Sequence, residues 1–244
     1  MKIKEYLIKR MREGTVHMTL IDPAKQDSVV AARIAETAER IGTDAIMVGG
    51  STGVTQENLD LTVLEIKKLC KLPVIYFPSG AHAISRHCDA IYFMSVLNSQ
   101  NVRHVIGEQV RGAPIIEKLG LETIPMGYVI VEPGMKVGEV SNADLIPRNN
   151  PQLAVAYALA AQYMGMEFFY LEAGSGSPQP VPETMIREVK RHVSIPLIVG
   201  GGIREPEDAL AIKEAGANAI VTGTIVENGD FSTRLEKIIS AIKK

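Results

Sequence analysis

Eight short apolar runs alternate with longer amphipathic stretches along this chain, and this alternation most constrains its fold. The runs are mostly continuously apolar, which is typical of parallel strands that are covered on both faces. Eight strand–helix units need roughly 250 residues, and the chain has 244. The pattern therefore predicts one α/β barrel domain over residues 1–244. The predicted strands are 15–21, 44–48, 74–77, 90–94, 122–131, 167–171, 197–200 and 219–222.

Helical patterns follow most of the strands, with one exception. Only residues 78–89 separate the third strand from the fourth, and this segment is too short and too rich in Gly and Ser for a covering helix. A short turn or disordered loop would explain it, and so would an entrance for a long ligand. Residues 132–148 form a second irregular segment, whose length is typical of a functional lid or a mobile loop. The predicted helices are 28–41, 58–70, 102–119, 151–164, 183–192, 207–215 and 231–242.

Charge and composition exclude several classes of function. The net charge is −2 and the sequence shows no basic face, so we expect no nucleic-acid partner. No apolar stretch reaches the roughly 18–20 residues of a membrane span, and the charged N-terminus lacks the apolar core of a signal peptide. Cys70 and Cys88 show no metal-ligand spacing, which suits a reducing compartment. The sequence therefore predicts a cytoplasmic protein with no transmembrane segment.

Three glycine-bearing segments, 167–177, 196–204 and 219–225, each contain a predicted strand and the loop after it. Glycine can adopt a positive φ and has no side chain, so backbone amides can crowd around an anion. Barrels of this kind commonly hold a phosphate group in their last loops, beside the N-terminus of a short helix. We therefore predict a phosphate-binding cup that is formed by the three loops.

A second anion site is predicted from the first two strands. Asp22 follows the first strand, and Ser51 follows the second within the glycine-rich segment 49–53. A lone acidic residue after a strand is more often a helix cap, and the glycines alone could form a flexible turn. Together, however, a carboxylate and a hydroxyl are the hard oxygen ligands that Mg²⁺ prefers, with the rest of its shell taken from water and substrate phosphates.

Glu172 ends the sixth strand inside the predicted cup. A carboxylate beside a phosphate is unfavourable unless it has a task, such as taking a proton from a neighbouring hydroxyl. An ion pair with Arg204, or a hydrogen bond from a backbone amide, would explain Glu172 equally well. Tyr170 lies two residues earlier and points to the same side of the strand. His104 is expected on a helix surface, and we expect no catalytic histidine.

Five segments lie in order along nearly the whole chain: LIDPAK at 20–25, MVGGSTGVT at 47–55, YFPSG at 76–80, YLEAGSG at 170–176 and VGGGIR at 199–204. Together they resemble the geranylgeranylglyceryl phosphate synthase family, which includes the bacterial heptaprenylglyceryl phosphate synthases. The YLEAGSG segment is much more specific than any single glycine loop. The resemblance implies a modified (β/α)8 TIM barrel in which extended chain replaces the helix after the third strand.

The resemblance also implies an Mg²⁺-dependent prenyl transfer. The C3 hydroxyl of sn-glycerol 1-phosphate would attack C1 of geranylgeranyl diphosphate, form an ether and release diphosphate, the first ether-lipid step of archaeal phospholipid synthesis. Asp22 and Ser51 would bind Mg²⁺, Glu172 would be the general base, and the protein would form a homo-oligomer, a dimer or a hexamer. Glycerol 1-phosphate would be held by Tyr170, Leu171, Glu172, Ala173, Gly174, Ser175, Gly176, Gly201, Gly202, Gly223 and Thr224.

The length of the prenyl chain is open at this point. A C20 donor is the expectation and a C35 heptaprenyl donor is the alternative, because in the resembled family one bulky residue at the end of the channel sets the length. A sugar-phosphate isomerase or lyase barrel would share the late glycine loops but not the second anion site. A phosphate sensor without activity is disfavoured by the presence of Asp22, Ser51 and Glu172. The candidates for the limiting residue are Ile91, Phe93, Met94, Val96 and Leu97.

Overall fold

Eight parallel strands close into a barrel in the computed structural model, which describes residues 1–227 and 231–243. Each strand pairs with the next along the chain, and β8 returns to pair with β1, where Val16 lies opposite Ala219 and Thr19 opposite Thr222. The predicted α/β barrel is confirmed, and the predicted strand ends differ from the observed ones by at most two residues. The strands are β1 (Val16–Ile21), β2 (Ala45–Val48), β3 (Val74–Tyr76), β4 (Ala90–Val96), β5 (Glu122–Ile130), β6 (Phe168–Glu172), β7 (Leu197–Gly200) and β8 (Ala219–Thr222).

The barrel wall is buried on both faces, which is why its strands are continuously apolar. Successive side chains of a strand point to opposite faces. In β6, Phe168 and Tyr170 pack inside the barrel, whereas Phe169 and Leu171 pack against the surrounding helices. Glu172 continues the inward series at the carboxyl end of the strand, so the alternation of β6 directs its carboxylate toward the barrel axis.

Helices surround the barrel, and α2 illustrates how the sequence defines them. Its N-cap Asp27 accepts a hydrogen bond from the Val29 amide, and it ends at Gly42 in the left-handed conformation. No helix within the described ranges is both long and apolar enough to cross a bilayer. The α-helices are α1 (Ile3–Glu13), α2 (Ser28–Ile41), α3 (Gln56–Leu69), α4 (Glu108–Leu119), α5 (Met135–Val140), α6 (Pro151–Tyr163), α7 (Glu183–His192), α8 (Pro206–Glu214) and α9 (Ser232–Lys243).

Helix α1 packs against the amino-terminal end of the barrel, and the sequence analysis did not anticipate it. Its Leu7 is fully buried among the residues that fill the barrel. The backbone amides of Ile3 and Lys4 donate to the two oxygens of the Glu122 carboxylate at 2.8 and 2.9 Å. Since α1 covers this end, the opposite, carboxyl-terminal end is the one that is available for a ligand.

Extended chain follows β3, as the family resemblance implied. Within the described residues, no helix lies between β3 and β4. Side chains of the flanking helices hold this segment: the Ile84 amide donates to Gln56 Oε1 at 2.9 Å, and the Ala81 amide donates to Glu108 Oε2 at 2.7 Å. The predicted absence of the third covering helix is therefore confirmed.

Two helical segments differ from the prediction. The predicted helix 102–119 begins with a π-helical turn, Arg103–Gly107, in which the Val105 carbonyl accepts a hydrogen bond from Ser95 Oγ at 2.6 Å. The segment 132–148 was predicted to be irregular, but it contains α5. Helix α5 has only six residues, too few to be stable without tertiary packing. Packing of Val137 against the barrel interior supports it, which no sequence pattern indicates.

Candidate active site

A cavity of about 290 Å³ opens at the carboxyl ends of the strands. It brings together the predicted site residues from both ends of the sequence. Asp22, Ser51, Tyr170, Glu172, Ser175, Gly176, Gly201, Gly202, Gly223 and Thr224 all line it. Three members of the predicted set, Leu171, Ala173 and Gly174, do not. Leu171 and Ala173 are buried against the helices outside the barrel, so they can contribute only backbone atoms.

The loops after β6, β7 and β8 form the predicted cup. The loop after β6 is tied to the loop after β8, because Thr224 Oγ1 accepts from the Gly176 amide at 3.1 Å and lies 2.9 Å from Ser175 Oγ. Arg204, in the loop after β7, donates to the Gly176 carbonyl at 2.8 Å. Three loops from separate strands therefore converge on Gly176, in an arrangement that suits a phosphate group.

Glycine is required at Gly201 for two reasons. Its φ is +83°, in the left-handed region, and a Cβ there would collide with Glu172 Oε1 and lie 2.6 Å from the Gly174 amide nitrogen. Gly174 is equally confined, since a Cβ on it would lie 2.6 Å from the Gly134 carbonyl oxygen. These glycines let the loops after β6 and β7, and the turn before α5, approach one another at backbone distance.

Glu172 lies at the floor of the cup and is only 7% exposed. Its Oε1 accepts a hydrogen bond from the Gly174 amide at 2.7 Å. Burial raises the pKa of the Glu172 carboxyl to about 7, and the Gly174 amide and the hydroxyls of Tyr170 and Tyr128 lower it. The backbone-amide partner considered from the sequence is thus present. A carboxyl with a pKa near neutrality is suited to accepting a proton. The sequence alone left open whether Glu172 is such a base or only a hydrogen-bond partner.

Aromatic side chains form the wall beneath Glu172. The rings of Tyr128 and Tyr170 lie 5.1 Å apart between centroids, and Phe77 lies 5.6 and 5.7 Å from them. Burial raises the pKa of both tyrosine hydroxyls well above 10, so they stay protonated and can donate to Glu172. Gly200 has no side chain because a Cβ there would collide with the Tyr170 hydroxyl.

Asp22 and Ser51 occupy the side of the cavity that is formed by the loops after β1 and β2. Asp22 Oδ1 accepts from the Ala24 amide at 2.9 Å, so this residue does form the local turn that its position also suggested. Its carboxylate lies directly against Gly50, with no room for a Cβ at that glycine. Burial raises the pKa of Asp22. Both predicted metal ligands are therefore oxygen donors facing one cavity.

A narrow apolar groove of about 60 Å³ adjoins the cavity where the third covering helix is absent. It runs between the extended chain after β3, strand β4 and helix α4. Leu97, one of the candidates for the residue that limits prenyl chain length, does not line this groove, because its side chain packs near Gly127 instead. The other candidates line the groove: Ile91, Phe93, Met94 and Val96.

His104 connects the cavity and the groove, since it lines both. His104 does lie on a helical turn, as expected, but it is half-buried and faces the cavity, which the sequence did not indicate. Burial and the nearby Arg103 lower the pKa of His104, which favours its neutral form at this junction.

Helix α5 covers part of the cavity. Lys136, Val137 and Val140 all line the cavity from this helix. The segment 132–148, whose role could not be derived from its sequence, thus contributes one cation and two apolar side chains to the site. Its position above the cavity, next to Gly174, is consistent with a role in shielding the site from water.

The profile of the PcrB family matches residues 7–244. The chain belongs to the PcrB family. The geranylgeranylglyceryl phosphate synthase of Methanococcoides burtonii is 52% identical over 248 residues, covering 100% of both chains. That of Methanothermobacter marburgensis is 52% identical over 243 residues, covering 99% of both. The predicted family membership is confirmed.

The crystal structure of one similar protein agrees closely with this fold. It is that of (S)-3-O-geranylgeranylglyceryl phosphate synthase from Thermoplasma acidophilum, with its substrate sn-glycerol-1-phosphate bound. The TM-score is 0.97 at 48% identity, covering 100% of this chain and 99% of that one. The modified (β/α)8 barrel is therefore the fold of this PcrB-family chain.

Sequence reasoning missed several residues that line the cavity, among them Lys25, His104, Tyr128 and Lys136. Lys25 lies within the LIDPAK segment and could have been found from its place after the first strand. Tyr128 could have been found from its inward register in β5, opposite Tyr170. The other two depend on the π-helical turn and on α5, which gave no clear sequence signal.

Proposed function

We propose that this PcrB-family protein joins the C3 hydroxyl of sn-glycerol 1-phosphate to C1 of geranylgeranyl diphosphate. The observation that carries the proposal is Glu172, a buried carboxyl with a pKa of about 7, set in a glycine-rich cup that shares its cavity with Asp22 and Ser51. One basic group, one phosphate cup and one hard-oxygen site are the parts that such a transfer needs. The glycerol phosphate bound by the Thermoplasma acidophilum relative supports the acceptor half.

The cup binds and orients the acceptor. Backbone amides around Gly176, Gly201 and Gly202, with the hydroxyls of Ser175 and Thr224, receive the phosphate. Fixing the phosphate places the glycerol hydroxyls a few bonds away, next to the Glu172 carboxylate. Such positioning lowers the barrier, because less rotational and translational freedom is lost in the reaction itself.

Glu172 accepts the proton of the C3 hydroxyl as that oxygen attacks. The new bond joins glycerol O3 to C1 of the prenyl chain, and the bond between C1 and the diphosphate oxygen breaks. The proton passes to Glu172, and the electron pair of the broken bond leaves with the diphosphate. The hydroxyls of Tyr128 and Tyr170, which donate to Glu172 and lower its pKa, keep an ionised fraction of the carboxyl available near neutral pH.

Asp22 and Ser51 would hold Mg²⁺. The donor set fits, because both are oxygen ligands and the glycine backbone beside Asp22 leaves its carboxylate space. Among residues 1–227 and 231–243, no three His, Cys, Asp or Glu side chains could together enclose a metal ion, so diphosphate oxygens and water would complete the shell. When bound, Mg²⁺ would neutralise charge on the leaving diphosphate.

The prenyl tail would lie in the apolar groove. The groove begins at His104, beside the cavity, and follows β4 below the extended chain after β3. A C20 chain is the proposed substrate, and a C35 chain remains the alternative for the same chemistry. The groove lining favours Ile91, Phe93, Met94 or Val96 over Leu97 as the residue that limits chain length.

The cellular context is part of the same proposal. The reaction would be the first ether-lipid step of archaeal phospholipid synthesis, carried out in the cytoplasm by a homo-oligomer. Exposed apolar side chains on the outer helices, such as Val102, Ile106 and Val110, are compatible with association. A single monomer peak in light scattering at micromolar concentration would contradict the oligomer.

The test is a transfer assay with radiolabelled sn-glycerol 1-phosphate. We expect a labelled ether lipid with geranylgeranyl diphosphate, less with heptaprenyl diphosphate, and none after EDTA treatment. The enantiomer, sn-glycerol 3-phosphate, serves as the matched control and should react poorly. Failure with both prenyl donors, together with turnover of a sugar phosphate without a donor, would favour the isomerase or lyase alternative.

A further inference from the structure

An ion pair joins the first and last loops at the mouth of the cavity. Lys25 Nζ, after β1, lies 2.7 Å from Glu227 Oε1, after β8. Strands β1 and β8 are neighbours in the closed barrel, so these two loops are adjacent. The β8 loop belongs to the phosphate cup, and the β1 loop carries Asp22. The pair therefore lies on the border between the two expected anion sites.

Lys25 is well placed to serve the Asp22 side of the cavity. Four basic side chains line the cavity within the described part of the chain: Lys25, His104, Lys136 and Arg204. Arg204 bonds to the cup through the Gly176 carbonyl, and Lys136 pairs with Glu139 at 3.0 Å on α5. Of the four, Lys25 alone comes from the loops after β1 and β2.

Backbone hydrogen bonds and packing hold the turn that carries Lys25. The amides of Lys25 and Gln26 both donate to the Asp22 carbonyl, at 3.0 and 3.2 Å. Ala24 packs against the loop after β2, since a Cβ on Gly53 would lie 3.0 Å from the Ala24 Cβ. Lys25 is thus held one turn from Asp22 while its own flexible side chain remains about half exposed.

We propose that Lys25 binds the diphosphate of the prenyl donor, and that Glu227 is a competing partner which the diphosphate displaces. This inference rests on the proposed function. Exposed ion pairs contribute little to stability, so exchanging one partner for another costs little. A diphosphate carries more negative charge than one carboxylate and forms charge-assisted hydrogen bonds with an ammonium group. Lys25 therefore exchanges Glu227 for the ligand when the diphosphate arrives.

Two single variants should move diphosphate affinity in opposite directions. Lys25→Met removes the cation, and we expect the dissociation constant for Mg²⁺–diphosphate to rise about tenfold. Glu227→Gln removes the competitor, and we expect the same constant to fall about two- to fivefold. In the double variant the gain from Glu227→Gln should vanish, because that gain acts through Lys25. If Glu227 only repelled the ligand, the gain would persist without Lys25.

Calorimetry with inorganic diphosphate and Mg²⁺ measures these dissociation constants without any turnover. The matched surface control is Lys237→Met on α9. In transfer assays, Lys25→Met should raise the KM for the prenyl diphosphate about tenfold and leave that for glycerol 1-phosphate within about twofold. Unchanged diphosphate affinity in Lys25→Met, or weaker affinity in Glu227→Gln, would overturn the inference. Wild-type protein that binds diphosphate through Lys25 but transfers no prenyl group would overturn the proposed function alone.

Discussion

Replacing Glu172 with Gln should stabilise the protein while it removes most of the activity. The Glu172 carboxyl has a pKa of about 7 in the folded protein, against an ordinary value of 4.5, chiefly because it is buried. At about 1.4 kcal/mol per pKa unit, this difference corresponds to about 3 kcal/mol. The folded protein bears this cost whenever Glu172 is ionised, as the proposed base must be.

The sign of the pH dependence follows from the raised pKa. A group whose folded-state pKa is raised favours folding in its protonated form. Its contribution is complete below pH 4.5, the ordinary value, and is lost as the pH rises through about 7. Glutamine does not ionise, so at pH 8 we expect the free energy of unfolding of Glu172→Gln to exceed that of the wild type by up to about 3 kcal/mol. Near pH 4.5 the two should differ little.

Denaturant unfolding at several pH values measures the stability, and kinetic assays measure the activity. The control is Glu36→Gln, an exposed position on α2, which should show no such pH dependence. The wild-type kcat should rise with pH through about 7, the pKa of Glu172. For Glu172→Gln we expect a loss of about 10²–10⁴ in kcat and no titration near that pH. If the allylic bond breaks well before the hydroxyl loses its proton, the loss would be smaller.

Two outcomes would refute this reasoning in different ways. A Gln variant with near-normal kcat would exclude Glu172 as the base and leave it only to orient the glycerol. A variant that is inactive but no more stable than the wild type at pH 8 would show that burial does not raise the pKa of Glu172 as described.

Three further variants and one control test the rest of the site. Asp22→Asn should raise the Mg²⁺ concentration needed for half-maximal rate by at least about tenfold, with glycerol phosphate affinity by calorimetry nearly unchanged. Tyr128→Phe removes a donor that lowers the pKa of Glu172, so the rise of kcat with pH should move to higher pH. Gly201→Ala should weaken glycerol phosphate binding by at least about tenfold, since its Cβ would collide with Glu172 and the positive φ adds about 1–3 kcal/mol of strain. The control for strain alone is Gly165→Ala, which has a positive φ, no atom near the added Cβ and no place in the cavity lining, so glycerol phosphate binding should be unchanged.

The barrel could be predicted from the sequence because its strands are buried on both faces. A run such as Ala219–Thr222 is almost entirely apolar, so it can be recognised in the sequence as a buried strand, and the glycine that follows marks the strand end. The ends of the strands then determine where the site lies. In β6, for example, the alternation of side chains is enough to direct Tyr170 and Glu172 to the same, inward face. The loops after β6, β7 and β8 meet because their strands are neighbours, so the cup follows from strand order.

Helix α1 has a helical signal that the sequence analysis passed over, because Ile3, Leu7 and Met11 recur at every fourth position and pack together against the barrel interior. Leu7 is buried only because the open end of a barrel lies above it. Helix α5 depends in the same way on its surroundings, and the π-helical turn at Arg103–Gly107 differs from an α-helix by one residue in its hydrogen bonding. Helix α5 and the π-helical turn are decided by tertiary contacts that a local pattern does not contain.

The pKa of Glu172 shows most clearly what the sequence could and could not supply. Its position at the end of a strand predicted a carboxylate inside the cup, and that placement is correct. The sequence could not decide whether this carboxylate is a base or only an inert partner of a backbone amide. Its hydrogen bond from the Gly174 amide is compatible with both roles. The decisive quantity is the balance between burial, which raises the pKa of Glu172, and three hydrogen-bond donors, which lower it. Two of these donors are the hydroxyls of Tyr128 on β5 and Tyr170 on β6, which lie opposite each other in the strand register. That balance exists only once β5 and β6 are paired, so the chemistry of the residue is a property of the closed barrel.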